Sequence, residues 1–282
     1  MLTAGDSHRV AELMRETAAA ELLPRFRNLA KSDIREKRPG DIVTVADVAS
    51  EQRLAVGLAK ILPGVPVVGE EAVELDAGLL DLIGRPGERC WIVDPLDGTA
   101  NFSRGEDRFA MIVCLVDNAE TVAGWILDVP NDRLAVAVKG QGVTLDGTPV
   151  RGKPPGRLPR GLIGYNVRKA FDRQLAPEQR RRLGDLSTLN CAGREYIDIL
   201  SGRYDFNLYR RTKPWDHAAG ALMLTEAGGQ AIRFSGAPFR PADPIDAGII
   251  AAASPEVVAE ARAVMEAVEL PLLAPKPSSA SS

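Results

Sequence analysis

Apolar positions along the chain fall into two kinds of run. From Asp6 to Phe26 they recur every three or four residues, at Val10, Leu13, Met14, Ala18 and Leu22. That spacing predicts an amphipathic helix capped by Asp6 or Ser7. A second helix is predicted over residues 44–64, capped near Thr44 and stopped at Pro63-Gly64. Short apolar runs then replace the helical period: VPVVGEE, CWIVDPLD and RFAMIVCLVDN read as strands. They are followed by TVAGWILDVPNDRLAVAVKGQGVTLDGTPV, a meander with turns at VPND and LDGT. Beyond a Pro/Gly-rich joint, RGKPPGRLPRG, the pattern changes again. Short strands (GLIGYNV, YDFNLY, QAIRF, AGIIAAA) alternate with helices (PEQRRRLGDL, CAGREYIDILSG, WDHAAGALMLTEAGG, PEVVAEARAVMEAVE). The reading is an α+β half over residues 1–150 and an α/β-like half over 151–270. A Pro/Ser-rich tail, 271–282, is expected to be disordered.

Composition narrows this picture. A chain of 282 residues that is 45% hydrophobic can bury a sizeable core, as one large domain or two closely packed halves. Net charge is −3, and the cluster Arg180-Arg181-Arg182 reads as the solvated face of a helix, so nothing suggests nucleic acid. Cys90, Cys114 and Cys191 are too few for a disulfide framework and fit a reducing compartment, with Cys90 and Cys114 in the core. No leader-like apolar segment and no run of membrane-spanning length is evident, which predicts a soluble, cytoplasmic protein without a membrane partner.

The candidate chemistry is acidic. Glu70 and Glu71 follow an apolar strand, Asp94 and Asp97 leave the end of another, Asp216 opens a helix, and Asp47 sits in the first turn of a second helix. Each alone reads as a cap or a turn residue. Brought together within about 4–6 Å, such carboxylates would repel by several kcal/mol per close pair at an effective dielectric of about 20. They would then either protonate or hold divalent cations, and an all-oxygen donor set suits Mg²⁺ or Mn²⁺ rather than zinc. A pair of such ions forms a clamp for phosphoryl transfer. Pro95 would help to fix the geometry, and Leu96 offers a backbone carbonyl.

The motifs GEE, WIVDPLDGTANF and WDHAAG…EAGG, in that order and supported by DIVTVAD and AVKGQGVTLDGTPV, resemble the inositol monophosphatase family of lithium-sensitive, magnesium-dependent phosphatases over roughly residues 37–229. The resemblance implies a layered αβαβα sandwich, usually a homodimer. It implies two or three Mg²⁺ ions per site, with Mn²⁺ able to substitute. Glu70, Asp94, the Leu96 carbonyl, Asp97 and Asp216 would be the metal ligands. Asp47 and Thr99 would orient the attacking water, and the amides of Gly98 and Thr99 would cradle the phosphate. The reaction implied is in-line hydrolysis of a small phosphorylated metabolite, with inositol monophosphate as the first choice of substrate. Fructose 1,6-bisphosphate, a 3′(2′),5′-bisphosphate nucleotide and histidinol phosphate are the alternatives, and a catalytically silent binding protein on the same fold is the non-enzyme alternative.

The substrate side departs from the family. NCAGREY stands where members often read G-S-A-A, so Ala192 would offer an amide to a ring hydroxyl while Cys191 and Gly193 differ. Tyr209 stands where inositol-preferring members often have Glu, and is expected to face the cleft; Arg210 and Arg211 follow it and would suit a second phosphate. Lys37 lies near an upstream lysine of the family. The spacing Asp94-x-x-Asp97 disfavours a phosphatase that uses an Asp-x-Asp nucleophile. With only His8 and His217 in the chain, histidine-based hydrolysis is disfavoured too.

Overall fold

The computed structural model describes residues 2–38, 40–152, 154 and 157–269. The tail at 271–282 lies outside the described residues. The first helix, α1 (Ala4–Thr17), runs on into a π-helical turn (Ala18–Leu22). Its cap is Thr3, one turn earlier than expected, and Asp6 returns the bond from inside the helix. A hairpin of β1 (Ile34–Arg38) and β2 (Asp41–Thr44) precedes α2 (Val45–Ile61), which is capped by Thr44 as predicted. Next come β3 (Val67–Gly69), α3 (Glu70–Leu75), β4 (Arg89–Asp97) and α4 (Thr99–Ser103). The meander follows as β5 (Ala110–Asp117), β6 (Glu120–Asp128), β7 (Arg133–Val138), β8 (Gly142–Leu145) and β9 (Thr148–Val150).

The C-terminal half continues with β10 (Gly161–Ile163), α5 (Tyr165–Gln174), α6 (Pro177–Arg180), β11 (Leu186–Ser187) and α7 (Ala192–Leu200). It ends with β12 (Phe206–Tyr209), α8 (Pro214–Glu226), β13 (Gln230–Ile232), β14 (Ile249–Ala252) and α9 (Pro255–Met265). Two expectations fail here. GLIGYNV is a three-residue strand that turns at Gly164 into α5, and the helix expected over 177–186 stops after Arg180.

Strands β3 to β9 form one seven-stranded sheet in chain order, and β11-β10-β12-β14-β13 form a second, mixed sheet. Why the strands of the first sheet read as unbroken apolar runs follows from its position. Trp91, Val93, Met111, Val113, Leu115 and Trp125 face α1 and α2, while Cys90, Ile92, Ile112, Cys114 and Ile126 face α7 and α8. A sheet covered on both faces needs apolar side chains at both parities. Helices α7 and α8 lie between the two sheets, and α5 and α9 cover the outer face of the second, where Val167, Phe171 and Val258 meet Ile163, Phe206 and Ile250. The order helix, sheet, helix, sheet, helix is the αβαβα sandwich. Each large side chain buried in these layers contributes about 1.5–3 kcal/mol. Truncating Trp125, which is 0% exposed, would cost about 3–5 kcal/mol.

Candidate active site

One strand irregularity makes the site possible. Along β4, Asp94 pairs with Ile112 and Asp97 with Ala110, so three steps on β4 match two on β5. On a regular strand residues three apart point to opposite faces. The extra residue of this bulge, which contains Pro95 with no N–H to pair, turns both acids toward the α7/α8 layer. Both acids thus leave one face, from a bulged strand rather than the turn that the sequence suggested.

Glu70 comes from the first position of α3, and Asp216 from the first turn of α8, behind Pro214. Oxygen atoms of Glu70, Asp94 and Asp216 lie within 4.8 Å of one another. All three are enclosed and their charges conflict. Burial, then Glu70, Asp97 and Asp216, push Asp94 well above the usual carboxylate range. Burial pushes Asp216 up to about 7 against the pull of Lys213. Burial acts upward on Glu70 too, but the ammonium groups of Lys213 and Lys37 together hold it below its ordinary value. Lys213 Nζ lies 2.7 Å from Glu70 Oε1, and Lys37 Nζ lies 2.7 Å from Glu71 Oε1 and 4.0 Å from Glu70.

Asp97 is placed differently. Its Oδ2 accepts from the Gly193 amide at 2.6 Å and from the Cys191 thiol at 3.1 Å, both at the start of α7. Burial raises its pKa, and these donors, with the Ala192 amide, act in the opposite direction. The Ala192 amide stands between these two donors in the chain, at the first position of α7.

Asp47 forms a fixed unit with Thr99. One carboxylate oxygen accepts from the Thr44 hydroxyl at 2.6 Å and its amide at 2.8 Å; the other accepts from Thr99 Oγ1 at 2.9 Å. Burial nevertheless lifts Asp47 to about 7. The Leu96 carbonyl lies 2.9 Å from the same Thr99 hydroxyl, a second acceptor for its single proton, so Asp47, Thr99 and Leu96 O meet at one hydroxyl. Gly98 links them at φ +87, and a Cβ there would stand 2.7 Å from the Arg108 carbonyl. Only glycine meets both conditions.

Three functional neighbours were not singled out from sequence. Glu51, one helical turn beyond Asp47, sends its carboxylate to the start of α3, accepting from the Glu71 and Ala72 amides at 2.8 Å each. It caps the helix that begins with Glu70, and Gly69 clears its path, since a Cβ there would lie 2.2 Å from Glu51 Cδ. The i, i+4 spacing of Asp47 and Glu51 was the available signal. Lys213, two residues before the WDHAAG motif, and Glu195, within CAGREYIDILSG, are the other two.

Tyr209 does not present a free hydroxyl to the cleft. Its Oη donates to Glu195 Oε2 at 2.5 Å, and its ring lies 5.0 Å from that of His217. Glu195, 0% exposed, also accepts from the Leu189 amide at 2.9 Å; burial pushes it to about 8. Arg210 donates to the Asp246 carbonyl, and Arg211 is exposed. His217 is buried, its Nδ1 is 3.1 Å from Tyr196 Oη, and burial lowers its pKa to about 4. It is a neutral core residue. His8 lies exposed on α1.

The donor set fits a hard divalent cation: oxygen ligands only, crowded so closely that burial and the neighbouring acids push Asp94 well above its ordinary range. The profile of the inositol monophosphatase family matches residues 7–269. The chain belongs to the inositol monophosphatase family. The inositol-1-monophosphatase of Bacillus subtilis is 30% identical over 210 residues, covering 72% of this chain and 77% of that protein. The fructose-1,6-bisphosphatase/inositol-1-monophosphatase of Thermotoga maritima is 29% identical over 203 residues, 71% and 75% of the two chains. Among solved structures, a Thermotoga maritima IMPase superposes with a TM-score of 0.73 at 25% identity, covering 91% of this chain and 96% of that one. Members of the inositol monophosphatase family are metal-dependent phosphatases, typically with Mg²⁺, and this chain is accordingly a phosphoric monoester hydrolase acting on small phosphorylated substrates. Among the described residues no helix is long and apolar enough to cross a membrane.

Proposed function

We propose that the protein hydrolyses inositol monophosphate, with two or three Mg²⁺ ions per site and Mn²⁺ able to substitute. The observation that carries the metal assignment is the convergence of Glu70, Asp94 and Asp216 from three separate elements. Glu70, Asp94, the Leu96 carbonyl, Asp97 and Asp216 would hold the ions. When bound, Mg²⁺ would polarise the phosphoryl oxygens and acidify a water. Asp47 and Thr99 would orient that water. The Thr44 bonds fix Asp47, and the Thr99 hydroxyl, when it donates to Asp47, keeps its lone pairs to accept from that water. The amides of Gly98 and Thr99 would receive the phosphate. Asp97, fixed by α7, and Asp216 would stand on the leaving-group side.

The preference for inositol monophosphate rests on the relatives' names, since both curated relatives above carry inositol-1-monophosphatase in theirs. The name of the second also supports a second reading, fructose 1,6-bisphosphate. Arg210, turned to Asp246, gives no support to a second phosphate at that point. A homodimer in a reducing cytoplasm completes the reading; the three buried, free cysteines are consistent with it. The test is phosphate release from inositol 1-phosphate, fructose 1,6-bisphosphate, adenosine 3′,5′-bisphosphate and histidinol phosphate, with Mg²⁺ and after chelation by EDTA. We expect activity to vanish on chelation, to return with Mg²⁺, and to be highest on inositol 1-phosphate. Full activity in metal-free buffer would refute the metal assignment, and a higher kcat/KM on another substrate would replace the first choice.

A further inference from the structure

Lys213 immediately precedes α8, and its ammonium lies on a candidate metal ligand, 2.7 Å from Glu70 Oε1. Two comparisons set it apart from Lys37. Lys37 makes its short contact with Glu71, which is not a candidate ligand, and stands 4.0 Å from Glu70. The Lys37 side chain is 5% exposed, whereas that of Lys213 is 24% exposed, with the Trp215 ring centroid 5.5 Å from its ammonium. A flexible four-carbon stem, an opening to solvent and an aromatic face nearby give Lys213 a route off Glu70. Its location is otherwise a poor one for a cation, because the N-terminal end of a helix repels positive charge. Glu70 and Asp216 are what keep it there: burial works against the ammonium, and their charges more than reverse that effect.

We propose that Lys213 is an internal counter-cation that occupies Glu70 until a divalent ion replaces it, and so sets how tightly the site holds that ion. The proposal rests on Glu70 being a metal ligand. In the metal-free protein Lys213 relieves the repulsion among Glu70, Asp94 and Asp216, which keeps the fold stable without its ion. That relief is lost when Mg²⁺ binds, because the ammonium must give up the same carboxylate oxygen. Part of the intrinsic affinity of the acids is therefore spent on displacing the lysine.

The test uses the full chain stripped with EDTA and titrated calorimetrically with Mg²⁺ in the absence of substrate, together with thermal melts with and without Mg²⁺. Lys213→Met should lower the Mg²⁺ Kd about tenfold or more, as expected for removing a like charge at this range. It should also lower the metal-free Tm and enlarge the rise in Tm caused by Mg²⁺. Lys213→Arg keeps the charge and should stay near the wild-type Kd; Lys213→Gln serves if the methionine variant does not fold. Wild-type protein that binds no Mg²⁺ would overturn the ligand assignment and this proposal with it. Wild-type protein that binds Mg²⁺, with Lys213→Met at an equal or higher Kd, would overturn this proposal alone. A raised KM for the phosphomonoester with unchanged Mg²⁺ affinity would instead assign Lys213 to the substrate phosphate.

Discussion

The two flanks of the cleft are built by opposite means. On one, Glu70, Asp94 and Asp216 crowd together from α3, β4 and α8, and lysines are what offset their charge. On the other, Glu195 is held by Tyr209 and the Leu189 amide, and His217 by Tyr196. The first flank is electrostatically incomplete; the second is joined by hydrogen bonds, with the buried His217 Nε2 left without one. Unresolved charge marks where an outside ion belongs. A buried hydrogen-bonded network marks framework, even at a position such as Tyr209 where resemblance suggests a substrate contact.

The contrast can be broken most forcefully at Asp94. Asp94→Asn keeps the shape but removes a charge from the incomplete flank. We expect kcat to fall on the order of 10²–10³-fold at saturating Mg²⁺, in the range seen for loss of a preorganised electrostatic group. The metal-free Tm should hold or rise, because repulsion is relieved. Near-normal turnover would mean that Asp94 holds no ion.

A smaller effect is expected at Glu51, which touches neither ion nor substrate but caps α3 beneath Glu70. Glu51→Gln keeps one acceptor and loses the charge. Stability should fall by about 1–2 kcal/mol, and kcat/KM by roughly tenfold as Glu70 loses its fixed position. A lower Tm with unchanged kcat/KM would reduce Glu51 to a structural cap.

The smallest effect concerns the closed flank. Free glutamate ionises near 4.5, and burial pushes Glu195 to about 8 in the fold. Between those values the unfolded chain releases a proton that the fold retains. The stability from this group is therefore whole below about 4.5 and is lost as pH rises through about 8. In Mg²⁺-saturated protein, Glu195→Gln should gain on the wild type by a few degrees in Tm between pH 5 and 8.5. Tyr209→Phe removes the bond that favours the carboxylate and should extend the fall in stability to higher pH. Neither change should alter the ratio of kcat/KM between substrates; a shifted ratio would show that this flank reads the substrate after all. Tyr209→Glu alone would set two carboxyl groups together and should gain nothing for inositol monophosphate.

Elements long enough to carry a period were legible in the sequence. The doubly covered strands β4 to β6 and the helices α1, α2 and α8 are visible in the pattern, and the acidic positions in their places at element ends. Short or charged elements escaped. The β1 strand, IREKR, has no apolar alternation, and α5 follows a three-residue strand with a single glycine between them. In the site, Glu51, Lys213 and Glu195 act across 20, 143 and 14 residues of sequence, respectively, through contacts that no local pattern encodes.

Helices α7 and α8 fill the space between the sheets although they arrive late in the chain. About 120 residues separate Asp94 from Asp216, so on a ribosome adding about 5–20 residues per second the acidic strand end waits roughly 6–24 s for its last partner. Until α7 and then α8 are made the inner face of the first sheet lacks its full cover, and its carboxylates lack Lys213. Helix α8 brings the missing apolar cover, the last acid and the lysine in one step, so the nascent chain gains its core and its site together.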